Sequence, residues 1–140
     1  MRRVAEEIRQ PGRPAMKLKS KVRGRVLMKR YGMMIGIRSE HIEAYKKYHA
    51  EVWPEVLETI EYCNMRNFTI YHQGEMLFGS YEYHGTDHGA DMARMAADPA
   101  TQRWWEIMMP MQRRLEGTPE GQWWMPLEEI FHFDGYISAT

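Results

Sequence analysis

Cysteine is almost missing from this sequence. Cys63 is the one in 140 residues, so no internal disulfide can form and a reducing, cytoplasmic compartment is expected. Long apolar runs are missing too: none reaches the ~18 residues that a membrane-spanning helix requires. The opening stretch, MRRVAEEIRQPGRPAMKLKSK, lacks the apolar centre of a secretory signal. No charge of one sign dominates, with 19 Lys and Arg against 19 Asp and Glu. Nucleic acid and anionic membranes both favour a basic surplus, so neither is expected as a partner. There is no glycine loop closed by a lysine to cradle phosphate, and no serine sits in a nucleophile elbow. The six histidines are scattered. His84 and His88 fall beside Gly85 and Gly89 with no third ligand in view, so no metal site is expected.

Methionine and aromatic side chains are plentiful: thirteen Met, eight Tyr and five Trp. Many fall in the second half, where they could line a cavity or an interface. Residues 1–29 are basic, interrupted by proline and without periodicity, which suits a flexible N-terminal arm; translation from Met28 would be an alternative start. Residues 30–140 carry the periodic signals of one domain.

In YGMMIGI (31–37), apolar residues at alternate positions predict a strand. Ser39 is read as a helix N-cap, with Glu40 in the first turn. Ile42, Tyr45, His49, Val52, Trp53, Val56, Leu57 and Ile60 form a helical stripe through about Glu61. Pro54 breaks it, because the residue before proline is pushed out of helical angles and the ring suits the first turn of a new helix. NFTIYH (67–72) and MLFGSYEY (76–83) read as a hairpin turning at Gly74. Residues 86–97 and 98–115 read as helices, the second capped by Asp98 with Pro99 behind it. PLEEIFHFD (126–134) reads as a last strand. The order is that of a ferredoxin-like βαββαβ fold, a four-stranded antiparallel sheet with helices on one face. The other face would be apolar and bare, which calls for a homodimer or a ligand over it.

His49 poses the functional question, since a titratable imidazole stands on the apolar stripe of its helix. Tyr45, Trp53, Asn67, Tyr71, Trp104 and Trp105 add stacking faces and hydrogen-bonding groups. From these residues alone two readings stand. One is a sugar cavity, in which aromatic faces meet C–H faces and polar groups meet hydroxyls. The other is an aromatic core with a satisfied histidine.

YKKYHAEVWPEV (45–56), then NFTIYH, TQRWWEIM and PLEEIFHFD, resemble the L-rhamnose mutarotase family over about residues 31–134. The combination of a Tyr-x-x-x-His helix, a following Trp-Pro-Glu and a later Trp-Trp pair is specific. The resemblance implies a dimeric ferredoxin-like fold, no metal or organic cofactor, and interconversion of the α and β anomers of a 6-deoxy-sugar pyranose. It implies that His49 is the catalytic proton donor and that Tyr45, Phe68, Trp104 and Trp105 contact the sugar. Phe68 departs from the pattern, because the rhamnose enzymes carry a tyrosine there. One hydroxyl fewer at the sugar makes L-fucose or a related deoxy-sugar an alternative to L-rhamnose. Two other classes share such a fold: cofactor-free or haem-using monooxygenases, and non-enzymatic ligand-binding barrels. The segment 116–124, EGTPEGQWW, lies outside the resemblance.

Overall fold

The computed structural model of the chain describes residues 28–136. The expected N-terminal arm lies outside the described residues except for Met28 and Lys29. Lys29 already pairs with Tyr83 at the start of β1, Lys29–Ile37. Two short helices follow, α1 at Ile42–Ala50 and α2 at Pro54–Tyr62. The hairpin β2, Met65–Gln73, and β3, Met76–Tyr83, leads to α3, His88–Ala97, and α4, Pro99–Met108. Two very short strands close the sheet, β4 at Gln112–Arg113 and β5 at Met125–Leu127.

All pairings are antiparallel, in the order β2-β3-β1, and both β4 and β5 pair with the free edge of β1. The fourth lane of the ferredoxin-like sheet is therefore split between them: Gln112 and Arg113 lie against Ile37 and Gly36, and Met125 to Leu127 against Met34 to Gly32. The expected last strand over 126–134 is cut to three residues. Ile130, Phe131 and Phe133 stand exposed beyond it.

Local chemistry explains most boundaries. Trp53 has φ −58° and ψ 132°, outside the helical region, as its position before Pro54 demands. α4 is capped by the Asp98 carboxylate, which accepts from the Thr101 backbone N–H at 2.9 Å and from its hydroxyl at 2.8 Å. α4 stops at Met108, short of the expected 115, because Pro110 lacks the N–H that would continue it. Ser39 does not cap a helix: residues 39–41 wind as a 3-10 turn, and the Ser39 hydroxyl turns to Glu40. Gly74 takes φ 56° in the hairpin turn, a region open to glycine.

The helices cover one face of the sheet. Ile35, Ile37 and Leu77 from the strands pack with Tyr45, Val56, Trp104, Met108 and Met111. A second cluster joins Cys63, Met65, Tyr81, Tyr83 and Met95. Burial pushes the Cys63 thiol pKa up, so this cysteine behaves as a core residue. Side chains alternate along strands, which turns Phe78 and Tyr71 to the uncovered face. They are 38% and 64% exposed, with Leu127 beside them on the same side.

Candidate functional site

His49 sits in the last turn of α1. Its Nδ1 lies 2.8 Å from the carbonyl oxygen of Tyr45, one turn back. A carbonyl can only accept, so Nδ1 carries the proton, and Nε2 keeps its lone pair. The imidazole packs against two aromatic rings. It stacks on the Tyr45 ring at 4.2 Å and meets the edge of Trp104 at 5.4 Å. Burial lowers its pKa below the usual histidine value, with the Tyr45 carbonyl working in the opposite direction. The result is a neutral imidazole with one basic nitrogen, held at a fixed tilt.

His49 belongs to the wall of a cavity of about 660 Å³, a size that suits a small ligand. α1 contributes Tyr45 and His49, α2 contributes Val56, Leu57 and Ile60, β2 contributes residues 65 and 67–70, and α4 contributes Thr101, Trp104 and Trp105. Trp104 is only 6% exposed and is wedged edge-on against Tyr48, His49 and Trp53. Trp105, on the next residue of the helix, diverges by about 100° and is 36% exposed. Both reach the same cavity, one as a fixed wall and one at its mouth.

Phe68 enters the cavity through a break in the strand. The β2–β3 register shifts between Arg66 and Thr69, and Asn67 takes φ 52°, a left-handed angle that asparagine tolerates. The bulge turns Phe68 to the helix side, where it stacks on Tyr81 at 5.7 Å. The Tyr81 hydroxyl is 2.7 Å from His88 Nε2, and the His88 ring stacks on Tyr31. Nearby, Tyr83 donates to Asp91, which also accepts from Asn64 and Arg94. These bonds hold the Asp91 carboxyl below its usual range, Tyr83 first. The cluster stiffens the end of the cavity behind Phe68.

The five residues expected at a sugar site, Tyr45, His49, Phe68, Trp104 and Trp105, therefore line one cavity. Trp53 packs behind Trp104. Tyr71 does not belong there, because strand alternation turns it to the open face. His84 and His88 part company, the first on Glu82 and the second on Tyr81. Among the described residues no three His, Cys, Asp or Glu side chains gather to hold a metal ion. Thr69 and Thr101 line the cavity without having been singled out in the sequence. Thr101 is masked by its role near the Asp98 cap, and Thr69 by a bulge that no alternation pattern reveals.

Known proteins resemble this chain in sequence and fold. The chain resembles the L-rhamnose mutarotase of Oceanobacillus iheyensis at 29% identity, over 76% of this chain and 100% of that protein. It resembles the L-fucose mutarotase of Xanthomonas campestris at 31% identity, over 70% of this chain and 81% of that one. The fold matches the crystal structure of the L-rhamnose mutarotase of Formosa agariphila with a TM-score of 0.59 at 20% identity, over 76% of this chain and 99% of that one. The L-rhamnose mutarotase family itself matches residues 30–133. That span takes in every strand and helix named above except the first residue of β1, and all five cavity residues. On these grounds the chain belongs to the L-rhamnose mutarotase family, isomerases that exchange the anomers of a sugar.

Proposed function

We propose that the protein interconverts the α and β anomers of a 6-deoxyhexopyranose, with L-rhamnose as the sugar it serves. The observation that carries this reading is the neutral His49, with Nδ1 tied to its own helix and Nε2 free beside a cavity walled by two tryptophans. Mutarotation asks for little more. The anomeric hydroxyl gives its proton to Nε2, and the bond from the anomeric carbon to the ring oxygen breaks. Its electron pair stays on the ring oxygen, which takes the proton back from the imidazolium. The open aldehyde turns about its first carbon–carbon bond and recloses on the other face by the same steps in reverse. One imidazole can serve both directions because it accepts a proton as the neutral ring and returns it as the imidazolium. In this reading Tyr45 hydrogen-bonds the sugar, and Trp104 and Trp105 take its C–H face and methyl group.

Phe68 favours a second sugar. A buried hydroxyl left without a partner costs about 1–3 kcal/mol, so a ring without the phenolic oxygen would shift the preference among epimers. L-Fucose is the diastereomer to set beside L-rhamnose, and one relative bears that activity in its name.

Assembly belongs to the same proposal. The uncovered sheet face, with Tyr71, Phe78 and Leu127 exposed together, suits a homodimer joined through the sheets. A cytoplasmic location fits the single, buried Cys63.

The experiment is exchange NMR of the anomeric protons of L-rhamnose, L-fucose and their epimers with catalytic protein. Acceleration of at least one 6-deoxy-sugar is expected. No acceleration of any sugar across the panel would reject the reading.

A further inference from the structure

Three side chains join the segment 116–124 to the cavity. Trp123 Nε1 lies 2.7 Å from Gln112 Oε1, and Gln112 Nε2 lies 3.1 Å from the Tyr45 hydroxyl. Gln112 is 5% exposed, so this chain runs through the protein interior. Its direction follows from chemistry at one end. An indole N–H can only donate, so the amide oxygen of Gln112 must face it. The amide nitrogen then faces Tyr45. An amide NH₂ can only donate as well, so the Tyr45 oxygen accepts. The single hydroxyl proton of Tyr45 is not spent on Gln112, and Tyr45 lines the cavity.

We propose that Trp123 and Gln112 are positioning residues that commit the Tyr45 hydroxyl to donating its proton into the cavity. The inference rests on the mutarotase reading and adds a division of labour to it. His49 Nε2 accepts from the anomeric hydroxyl, while Tyr45 donates a hydrogen bond to the ring oxygen as its bond to the anomeric carbon breaks. A tyrosine free to turn its proton either way would compete with His49 as an acceptor. The fixed relay removes that competition and meets the charge that develops on the ring oxygen. Burial also pushes the Tyr45 pKa up to about 12, so the hydroxyl keeps its proton throughout the working range.

The segment that carries Trp123 is braced for this task. The Arg114 guanidinium donates to the carbonyl oxygens of Gln122, Thr118 and Pro119 at 2.9, 2.8 and 2.9 Å. The Thr118 hydroxyl donates to the Leu115 carbonyl at 2.7 Å. Trp123 then packs against the main core cluster. Gln112 is placed from the other side, by its strand pairing with Ile37.

The test is a double-mutant cycle read by exchange NMR of L-rhamnose, or of L-fucose if that sugar is turned over faster. Gln112→Glu keeps the shape but supplies a carboxylate, which accepts from Trp123 and also draws in the Tyr45 proton. It should lower kcat roughly tenfold with KM little changed. In a Tyr45→Phe background the same substitution should cost less than about twofold, because its effect passes through the hydroxyl. Trp123→Phe removes the donor that orients the amide and should give a smaller loss, again abolished in Tyr45→Phe. This second variant decides the matter if Gln112→Glu does not fold. Losses that add in full to that of Tyr45→Phe, or a Gln112→Glu protein as fast as the wild type, would overturn the inference and leave the mutarotase reading intact. A wild-type protein that exchanges no sugar of the panel would overturn both.

Discussion

The Nδ1 of His49 donates to the carbonyl oxygen of Tyr45 at 2.8 Å, and this one bond fixes both the tautomer and the tilt of the ring. The Tyr45 carbonyl stands one turn before His49 on the same helix, so the ring folds back along its own helix to reach it. A helix that ran on past Ala50 would bury His49 inside a continuous stripe. The break before Pro54 instead leaves the ring at a helix end, beside a cavity.

The pH dependence follows from the burial of that ring. In the proposed mechanism the active form is the neutral imidazole, and burial moves the His49 pKa below the ordinary value of ~6.5. The rate should hold through neutrality and fall only as the pH drops through the lowered pKa. Stability follows the same sign. The unfolded chain binds the proton more readily, so the contribution from His49 is complete above the ordinary value and is lost as the pH falls. A kcat profile with its acid limb at or above pH ~7 would disagree with the buried, neutral ring.

Phe68 should govern the choice of sugar. Phe68→Tyr restores a phenolic oxygen at the bulge of β2, on the cavity side. It should shift the ratio of kcat/KM for L-rhamnose over L-fucose by about tenfold, the worth of one hydrogen bond to a sugar hydroxyl. An unchanged ratio would mean that this ring does not face the distinguishing hydroxyl.

Trp104 and Trp105 should behave differently despite being neighbours. Trp104 is buried among three aromatic rings, so Trp104→Ala should cost about 3–5 kcal/mol of stability. Trp105 is about one-third open to solvent, so Trp105→Ala should leave the melting temperature close to the wild type while raising KM roughly three- to tenfold. Thermal melts and Michaelis constants for both variants check this. Equal losses of stability would show that Trp105 is a core residue and no part of the mouth.

The open sheet face should join two copies of the chain. Light scattering at tens of micromolar should give the dimer mass, and Phe78→Arg, on the exposed face, should yield the monomer with its helices intact by circular dichroism. A wild-type monomer at that concentration would leave Tyr71, Phe78 and Leu127 without a partner.

Much of this was legible in the sequence where chemistry is local. Pro54 marks the helix break, Asp98 and Pro99 mark a helix start, and Gly74 marks the hairpin turn. Tyr45 and His49 share a face because they stand four residues apart on a helix. What could not be read depends on pairing at a distance. The fourth lane of the sheet is divided between two short strands because Pro110 and the Arg114 loop bring the chain to β1 twice. The bulge at Asn67 turns Phe68 toward the cavity and leaves Tyr71 outside it. The bond between Gln112 and Tyr45 joins residues 67 positions apart, and no periodicity records it.

The most direct measurement compares anomer exchange by the wild type and by His49→Asn, using NMR of the anomeric protons. Asparagine can keep a bond to the Tyr45 carbonyl but has no group where Nε2 stands. Proton transfer by His49 predicts a folded protein, with a near-native melting temperature and intact sugar binding, that exchanges anomers about 10²–10⁴-fold more slowly. A folded His49→Asn protein exchanging at the wild-type rate would contradict it and return His49 to the role of a packed aromatic.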